Sequence, residues 1–254
     1  MSPRPAKQRR STKAGATAKR PPPRPTRPPS APGARAAKEP IPIVGIGASA
    51  GGLEALEAFF KNMPPESGLA FVVVQHLDPT HKGMLVELLQ RATTMPVAQA
   101  SDRLPVAPDH VYVIPPGKDL ALARGLLKLL PQKAPRGLNL PIDVFLRSLA
   151  EDQQERSIGV VLSGMGTDGT LGLRAIKEKA GASFVQAIAS AKFDGMPRSA
   201  IEAGVADVVA AVEELPAKIV SYHRHVPHIG AKDAEREGPE GGEEIGRASC
   251  RERV

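Results

Sequence analysis

The sequence predicts an α/β fold, a doubly wound and mostly parallel sheet with an appended antiparallel hairpin. Three apolar runs carry that prediction: Ile41-Pro-Ile-Val-Gly-Ile-Gly, Phe71-Val-Val-Val-Gln and Ile158-Gly-Val-Val-Leu-Ser-Gly. Such runs do not alternate, and helix-like segments separate them, so they read as strands buried on both faces. Each is followed closely by a polar residue: Ser49, His76 and Asp168. The carboxyl ends of parallel strands lie along one edge of the sheet, where ligands bind. A serine, a histidine and an aspartate delivered to one edge are the residue set of a nucleophilic hydrolase.

The elements follow in order from Pro40. Strand 41–46 turns through Gly47-Ala-Ser-Ala-Gly-Gly into a helix from about Leu53 to Lys61, with Leu56, Phe59 and Phe60 on one face. Pro64-Pro65 ends that unit. Strand 71–75 leads past Asp78-Pro79-Thr80, where Thr80 can cap a helix striped by Met84, Leu85, Leu88, Leu89 and Ala92. His110-Val-Tyr-Val-Ile, a Pro-Pro-Gly turn, Leu120-Ala-Leu and Leu126–Leu130 read as short strands with tight turns, the appended hairpin. Pro131–Asn139 is a loop. Pro141 suits the first position of a helix bearing Ile142, Phe145, Leu146 and Leu149. A third βα unit runs from Ile158 through Gly164-Met-Gly-Thr-Asp-Gly to a helix with Leu173 and Ile176. Ala182–Gln186 and Ala206–Val209 read as strands flanking a short helix at Pro197–Ala203, and a last helix carries Leu215, Ile219 and Tyr222.

Composition narrows the function classes. Aromatics are 3% and tryptophan is absent, which argues against a stacking platform for single-stranded nucleic acid. The single cysteine, Cys250, cannot form a disulfide within the chain, and no apolar run approaches the roughly 18–20 residues of a membrane span. The expectation is a cytoplasmic, non-membrane-spanning protein. The basic character is local: residues 1–40 hold eleven Lys or Arg against one acid, Glu39, a net +10 that leaves −3 for the rest of a chain whose total is +7. Ten prolines share that segment. The expected organisation is therefore a disordered basic arm at 1–39, a catalytic domain at 40–226 and a disordered tail at 227–254. The last residues, from Gly246, are set aside from the fold reading. The arm reads as a solubilising linker or as a contact to an acidic surface.

Gly47-Ala-Ser-Ala-Gly satisfies the spacing of a nucleophile elbow, in which small neighbours leave the hydroxyl exposed between strand and helix. Alone that match is weak, because any tight βα turn favours Gly, Ala and Ser. The rival is a dinucleotide fingerprint, Gly45-x-Gly47-x-x-Ala50. It lacks the acid at the next strand end, where Gln75-His76 stands instead. His76 can also be a histidine bonded to a nearby carbonyl, and Asp168 can be a helix cap. His223, His225 and His228 look like a metal cluster but lack an accompanying acid pattern, and no metal is assigned.

The segments Ile46-Gly-Ala-Ser-Ala-Gly-Gly, Gln75-His76, Gly164-Met-Gly-Thr-Asp-Gly and Phe193-Asp-Gly-Met-Pro-Arg-Ser-Ala-Ile resemble, in order, the signatures of the chemotaxis protein-glutamate methylesterase catalytic domain. The likeness spans about Pro42 to Val209. It implies hydrolysis of glutamyl methyl esters on methylated chemoreceptor cytoplasmic domains, with release of methanol and no cofactor. Many members also deamidate receptor glutamines. By that resemblance the nucleophile falls on Ser49, the base on His76 and the orienting acid on Asp168. Ala50 and Met165 fall where the family lines its site, and amides near them serve the oxyanion.

Two departures matter. Ala50 stands where the family often has threonine, so any side-chain role there is gone. The arm is too short to supply the receiver domain of well-known members, which puts control by phosphorylation in doubt. Ala134-Pro-Arg-Gly-Leu-Asn-Leu-Pro-Ile-Asp and Ser190-Ala-Lys-Phe-Asp-Gly look more like the esterase part of esterase–methyltransferase fusions. A standalone form and a truncated fusion both remain open, with a methyltransferase as an implied partner. No specific nucleic acid is expected. A non-catalytic receptor-binding module of the same fold is the competing class.

Overall fold

A computed structural model of the chain describes residues 41–75, 84–132 and 140–225. Its main sheet has seven strands: β1 (Ile43–Ala48), β2 (Ala70–Gln75), β3 (Val97–Gln99), β5 (Val111–Val113), β8 (Ile158–Val161), β9 (Ala182–Gln186) and β10 (Val208–Ala210). Their order is β10-β9-β8-β1-β2-β5-β3, and every pairing is parallel. The chain winds outward from β1 through β2 in one direction and from β8 through β10 in the other. The strand order therefore reverses between β1 and β8, where such sheets open a crevice at their carboxyl ends.

Among the described residues six helices cover the two faces: α1 (Gly52–Lys61), α2 (Met84–Ala92), α3 (Pro141–Gln153), α4 (Thr170–Glu178), α5 (Gly195–Glu202) and α6 (Leu215–His225). Alternate side chains of each strand feed two separate cores, as the period of two demands. Val44, Ile46, Phe71 and Val73 pack with Leu56, Phe59 and Phe60 of α1, Leu89 of α2 and Ile219 of α6. Val72, Val74 and Val161 pack with Phe145 and Leu146 of α3, Ile176 of α4 and Met196 of α5.

On that second face β1 offers glycine where a side chain would stand. A Cβ on Gly47 would meet Ile142 Cγ2 at 2.3 Å, and one on Gly45 would meet Leu146 Cδ2 at 2.7 Å. The bare backbone lets α3 lie directly on the strand beside the crevice. Pro141 opens α3, as its fixed φ and missing N–H favour, and Ile142, Phe145, Leu146 and Leu149 are its buried face.

The appended element is larger than expected. β4 (Leu104–Pro105), β6 (Lys118–Ala123) and β7 (Leu126–Pro131) form a three-stranded antiparallel sheet in the order β4-β7-β6. The β6–β7 hairpin is its core. The run beginning at His110 is not part of it: Val111–Val113 is a central parallel strand, β5, paired with both β2 and β3. Three residues are too few to show whether a strand alternates, so pattern alone could not assign it to a sheet. The expected helix cap Thr80, the loop around 133–139, the arm and the tail lie outside the described residues.

Candidate active site at the strand-order reversal

Ser49 is the first residue beyond β1 and is half-buried. Its amide donates to Ser163 O at 3.0 Å, and its carbonyl accepts from Gly52 N at 2.8 Å, closing a tight turn into α1. Gly51 precedes the helix at φ +67°, a left-handed conformation that L side chains resist. The hydroxyl is thus set at the head of α1, where first-turn amides favour negative charge.

Asp168 lies in the turn between β8 and α4 and is 2% exposed. Its carboxylate accepts from Ile142 N at 3.1 Å and Asp143 N at 2.8 Å, the first free amides of α3, and from Gly169 N at 2.9 Å. Asp168 is therefore a helix cap, but of α3 and not of the helix that follows it. The close seat of α3 over Gly47 brings those amides to the carboxylate.

Asp143 returns the arrangement. Its Oδ1 accepts from Gly169 N at 3.0 Å and Gly172 N at 2.7 Å, at the head of α4. Two helices thus exchange acidic caps across one buried junction. Oδ2 of Asp143 is buried without a hydrogen-bond partner. Burial pushes the Asp143 carboxyl up from the usual aspartate range, and the neighbouring Asp168 charge adds to this; the Gly172 and Gly169 amides and Arg147 pull the other way without cancelling it.

β2 ends at Gln75, register partner of Ala48, beside the Ser49 turn. His76, the base that the sequence nominates, lies outside the described residues. So do His81 and His228. His223 and His225 fall in the last turn of α6, and among the described residues no group of three or more His, Cys, Asp or Glu is arranged to hold a metal. Met165 is 65% exposed in the turn before Asp168, and Phe193 is 39% exposed across from it. Ala50 follows Ser49 in its turn and is half-buried.

Sequence reasoning passed over Ser163, Gln186 and Asp143. An acid in a helix first turn is ordinary, and a serine or glutamine at a strand end carries no signal until its tertiary partners are known. Among the described residues no helix is long and apolar enough to cross a membrane.

Fold and site together define a doubly wound parallel α/β protein with a serine elbow and a buried aspartate flanking its strand-order reversal. The chain belongs to the CheB methylesterase family, whose model matches residues 44–219. It is 36% identical over 183 residues to a protein-glutamate methylesterase/protein-glutamine glutaminase of Geobacillus kaustophilus, covering 70% of this chain and 52% of that one. A relative of the same description from Anaeromyxobacter dehalogenans is 36% identical over 190 residues, 72% of this chain and 53% of its own. The chain therefore spans about half the length of these curated relatives. The crystal structure of the Thermotoga maritima CheB methylesterase catalytic domain superposes with a TM-score of 0.66 at 32% identity, covering 71% of this chain and 97% of that one.

Proposed function

We propose that this chain hydrolyses γ-glutamyl methyl esters on the cytoplasmic domains of chemoreceptors and releases methanol. The observation that carries the reading is the delivery of Ser49 and Asp168 to adjoining βα turns, from the neighbouring strands β1 and β8. The relatives' description, protein-glutamate methylesterase/protein-glutamine glutaminase, supports the reaction class.

In this reading His76 takes the Ser49 proton as Oγ attacks the ester carbonyl, and Asp168 orients the imidazole and stabilises its charged form. The amides near Ala50 and Met165 stabilise the oxyanion. His76 then protonates the departing methoxide. Water attacks the acyl-serine with His76 again as base, freeing the glutamate carboxylate. A glutamine side chain in the same place would release ammonia, and the relatives' double description favours testing both.

Methanol release from a peptide bearing a γ-glutamyl methyl ester tests the reading. Ser49→Ala is expected to remove about 10⁴–10⁶ of the turnover, the scale of losing a triad nucleophile, with folding intact because alanine already flanks the position. Wild-type activity in a folded Ser49→Ala protein overturns the assignment.

A further inference from the structure

We infer that Ser163 is a positioning residue that holds the two halves of the oxyanion site in register. The inference rests on the hydrolase reading above. Ser163 follows β8 by two residues and is 1% exposed. Its Oγ joins two other chain segments, the Ala50 turn and the segment at Phe193. It lies 3.0 Å from Ala50 O and 3.2 Å from Phe193 O, and it accepts from Phe193 N at 3.0 Å. A hydroxyl has one proton, and Phe193 O already accepts from Gly164 N at 2.9 Å. Ala50 O is thus the closer and less occupied acceptor. The main chain of the same residue accepts from Ser49 N at 3.0 Å and donates to Gln186 Oε1 at 2.8 Å. Gln186 is itself 1% exposed and bonds Ser190 O at 2.9 Å through Nε2.

The chemistry explains why such a knot matters. Oxyanion donors act only when their hydrogens converge on one point, about 2.7–3.1 Å from the developing charge. Here the candidate donors come from distant segments, Ala50 after β1 and Met165 after β8. Each peptide plane is held by its neighbour. Gly164 O accepts from Met196 N at 2.9 Å. In a trans peptide the Met165 N–H points away from the Gly164 carbonyl, so that bond fixes where the donor aims. On the other side, Ser163 holds the Ser49 amide with its carbonyl and the Ala50 carbonyl with its hydroxyl. The Ala50 N–H lies between those two anchored groups. One residue therefore references the elbow to the Met165 turn. The packing leaves no slack: a Cβ on Gly51 would meet Ser163 Oγ at 2.9 Å and Phe193 Cδ2 at 3.0 Å.

Ser163→Ala removes the hydroxyl without deleting any group assigned to the chemistry. The expected result, with the γ-glutamyl methyl ester peptide, is a fall of about 10- to 100-fold in kcat, below the 10²–10³ of deleting a donor outright, with KM within about threefold. Ser183→Ala is the matched control. Ser183 is equally buried, in β9, and its hydroxyl bonds Asp207 Oδ2 at 2.7 Å, so its loss should lower thermal stability without touching kcat. Ser163→Cys keeps the volume and a weaker donor and should fall between alanine and wild type. If Ser163→Ala yields no folded protein, the cysteine variant decides alone: lowered kcat at unchanged KM supports the inference, and wild-type kcat overturns it. Equal kcat losses in Ser163→Ala and Ser183→Ala also overturn it, because the effect then tracks stability. Ser49→Ala run alongside separates the two readings. If it is inactive while Ser163→Ala turns over normally, only the positioning role fails. If Ser49→Ala is active, the hydrolase reading itself fails.

Discussion

The two turns that flank the crevice use the same backbone device and opposite supports. Both helices that follow are entered through a left-handed glycine, Gly51 before α1 and Gly169 before α4. Beyond that they diverge. The Ser49 turn is short and half-exposed, and its anchors come from elsewhere in the chain: Ser163 O and Ser163 Oγ. The Asp168 turn is buried, and its polar side chain is itself the anchor, accepting amides of α3 while Asp143 accepts amides of α4. In the proposed reading Ser49 is the nucleophile and must reach substrate, and other residues position its backbone. In the same reading Asp168 orients the base, and its carboxylate serves the fold at the same time. Substitutions at the first turn should therefore separate activity from stability, and those at the second should not.

The sharpest test of that contrast is Asp168→Asn. Turnover on the methyl ester peptide is expected to fall by about 10⁴, the precedent for favouring the wrong imidazole tautomer. Unlike Ser49→Ala, it should also lower stability, by about 1–3 kcal/mol, because an amide nitrogen would face backbone donors now satisfied by a carboxylate oxygen. Thermal denaturation beside the methanol assay reads both. A stability loss with unchanged turnover per folded molecule would leave Asp168 as a cap only.

A smaller effect comes from lifting α3. Gly47→Ala drives a methyl into Ile142 and should cost about 1–3 kcal/mol as overpacking. Because Ile142 N is an Asp168 donor, turnover should drop along with stability. A destabilised variant with full activity would show that the α3 cap does not govern the acid.

The reciprocal acid is read through pH. Burial raises the Asp143 carboxyl, so the folded state holds its proton more tightly than the unfolded chain does. Protonated Asp143 contributes fully below the unfolded value, and that contribution is lost as pH rises through the folded value. Asp143→Asn should flatten this part of the stability profile above the ordinary aspartate range, with turnover changed only a few-fold because an oxygen acceptor remains for Gly169 and Gly172. Denaturant midpoints across pH 4 to 8 in both proteins measure it. An identical slope in wild type and variant would place the titration elsewhere.

How much of this was legible in the sequence follows from what each element depends on. The runs at β1, β2 and β8 are dictated by apolar composition, and Pro141 marks the start of α3 without tertiary help. β3 carried no readable signal, and β5 read as a strand but was assigned to the hairpin, because three-residue strands are placed by their neighbours and not by their pattern. The same holds inside the site. Ser49 and Asp168 stand out as polar residues beyond apolar strands. Ser163 and Asp143 do not, since their importance lies in which distant amides and carbonyls they meet. The resemblance to a known family supplied the pairing of Ser49 with Asp168 that spacing alone left open.

The smallest expected effect tests where the clamp between the two sides resides. Lys192 Nζ lies 2.8 Å from Glu54 Oε1, joining α1 to the segment that Ser163 also holds, but both side chains are 62% exposed. The hydrogen bond from Lys192 holds the Glu54 carboxyl below the usual range, so the attraction is present above that range and fades as pH falls through it. Exposed pairs contribute about 0–1 kcal/mol, since solvent screens them and two long side chains lose freedom. Lys192→Ala should therefore leave turnover within about twofold, and any change should shrink further at about 0.5 M salt, where the Debye length falls below the roughly 8 Å found at physiological ionic strength. The comparison with Ser163→Ala is direct, because both changes cut links between the same segments. If Lys192→Ala lowers kcat as far as Ser163→Ala does, the surface pair carries the registration and the buried hydroxyl is redundant. If only the buried change matters, the register of the Ser49 elbow is set by a single desolvated hydroxyl beneath it.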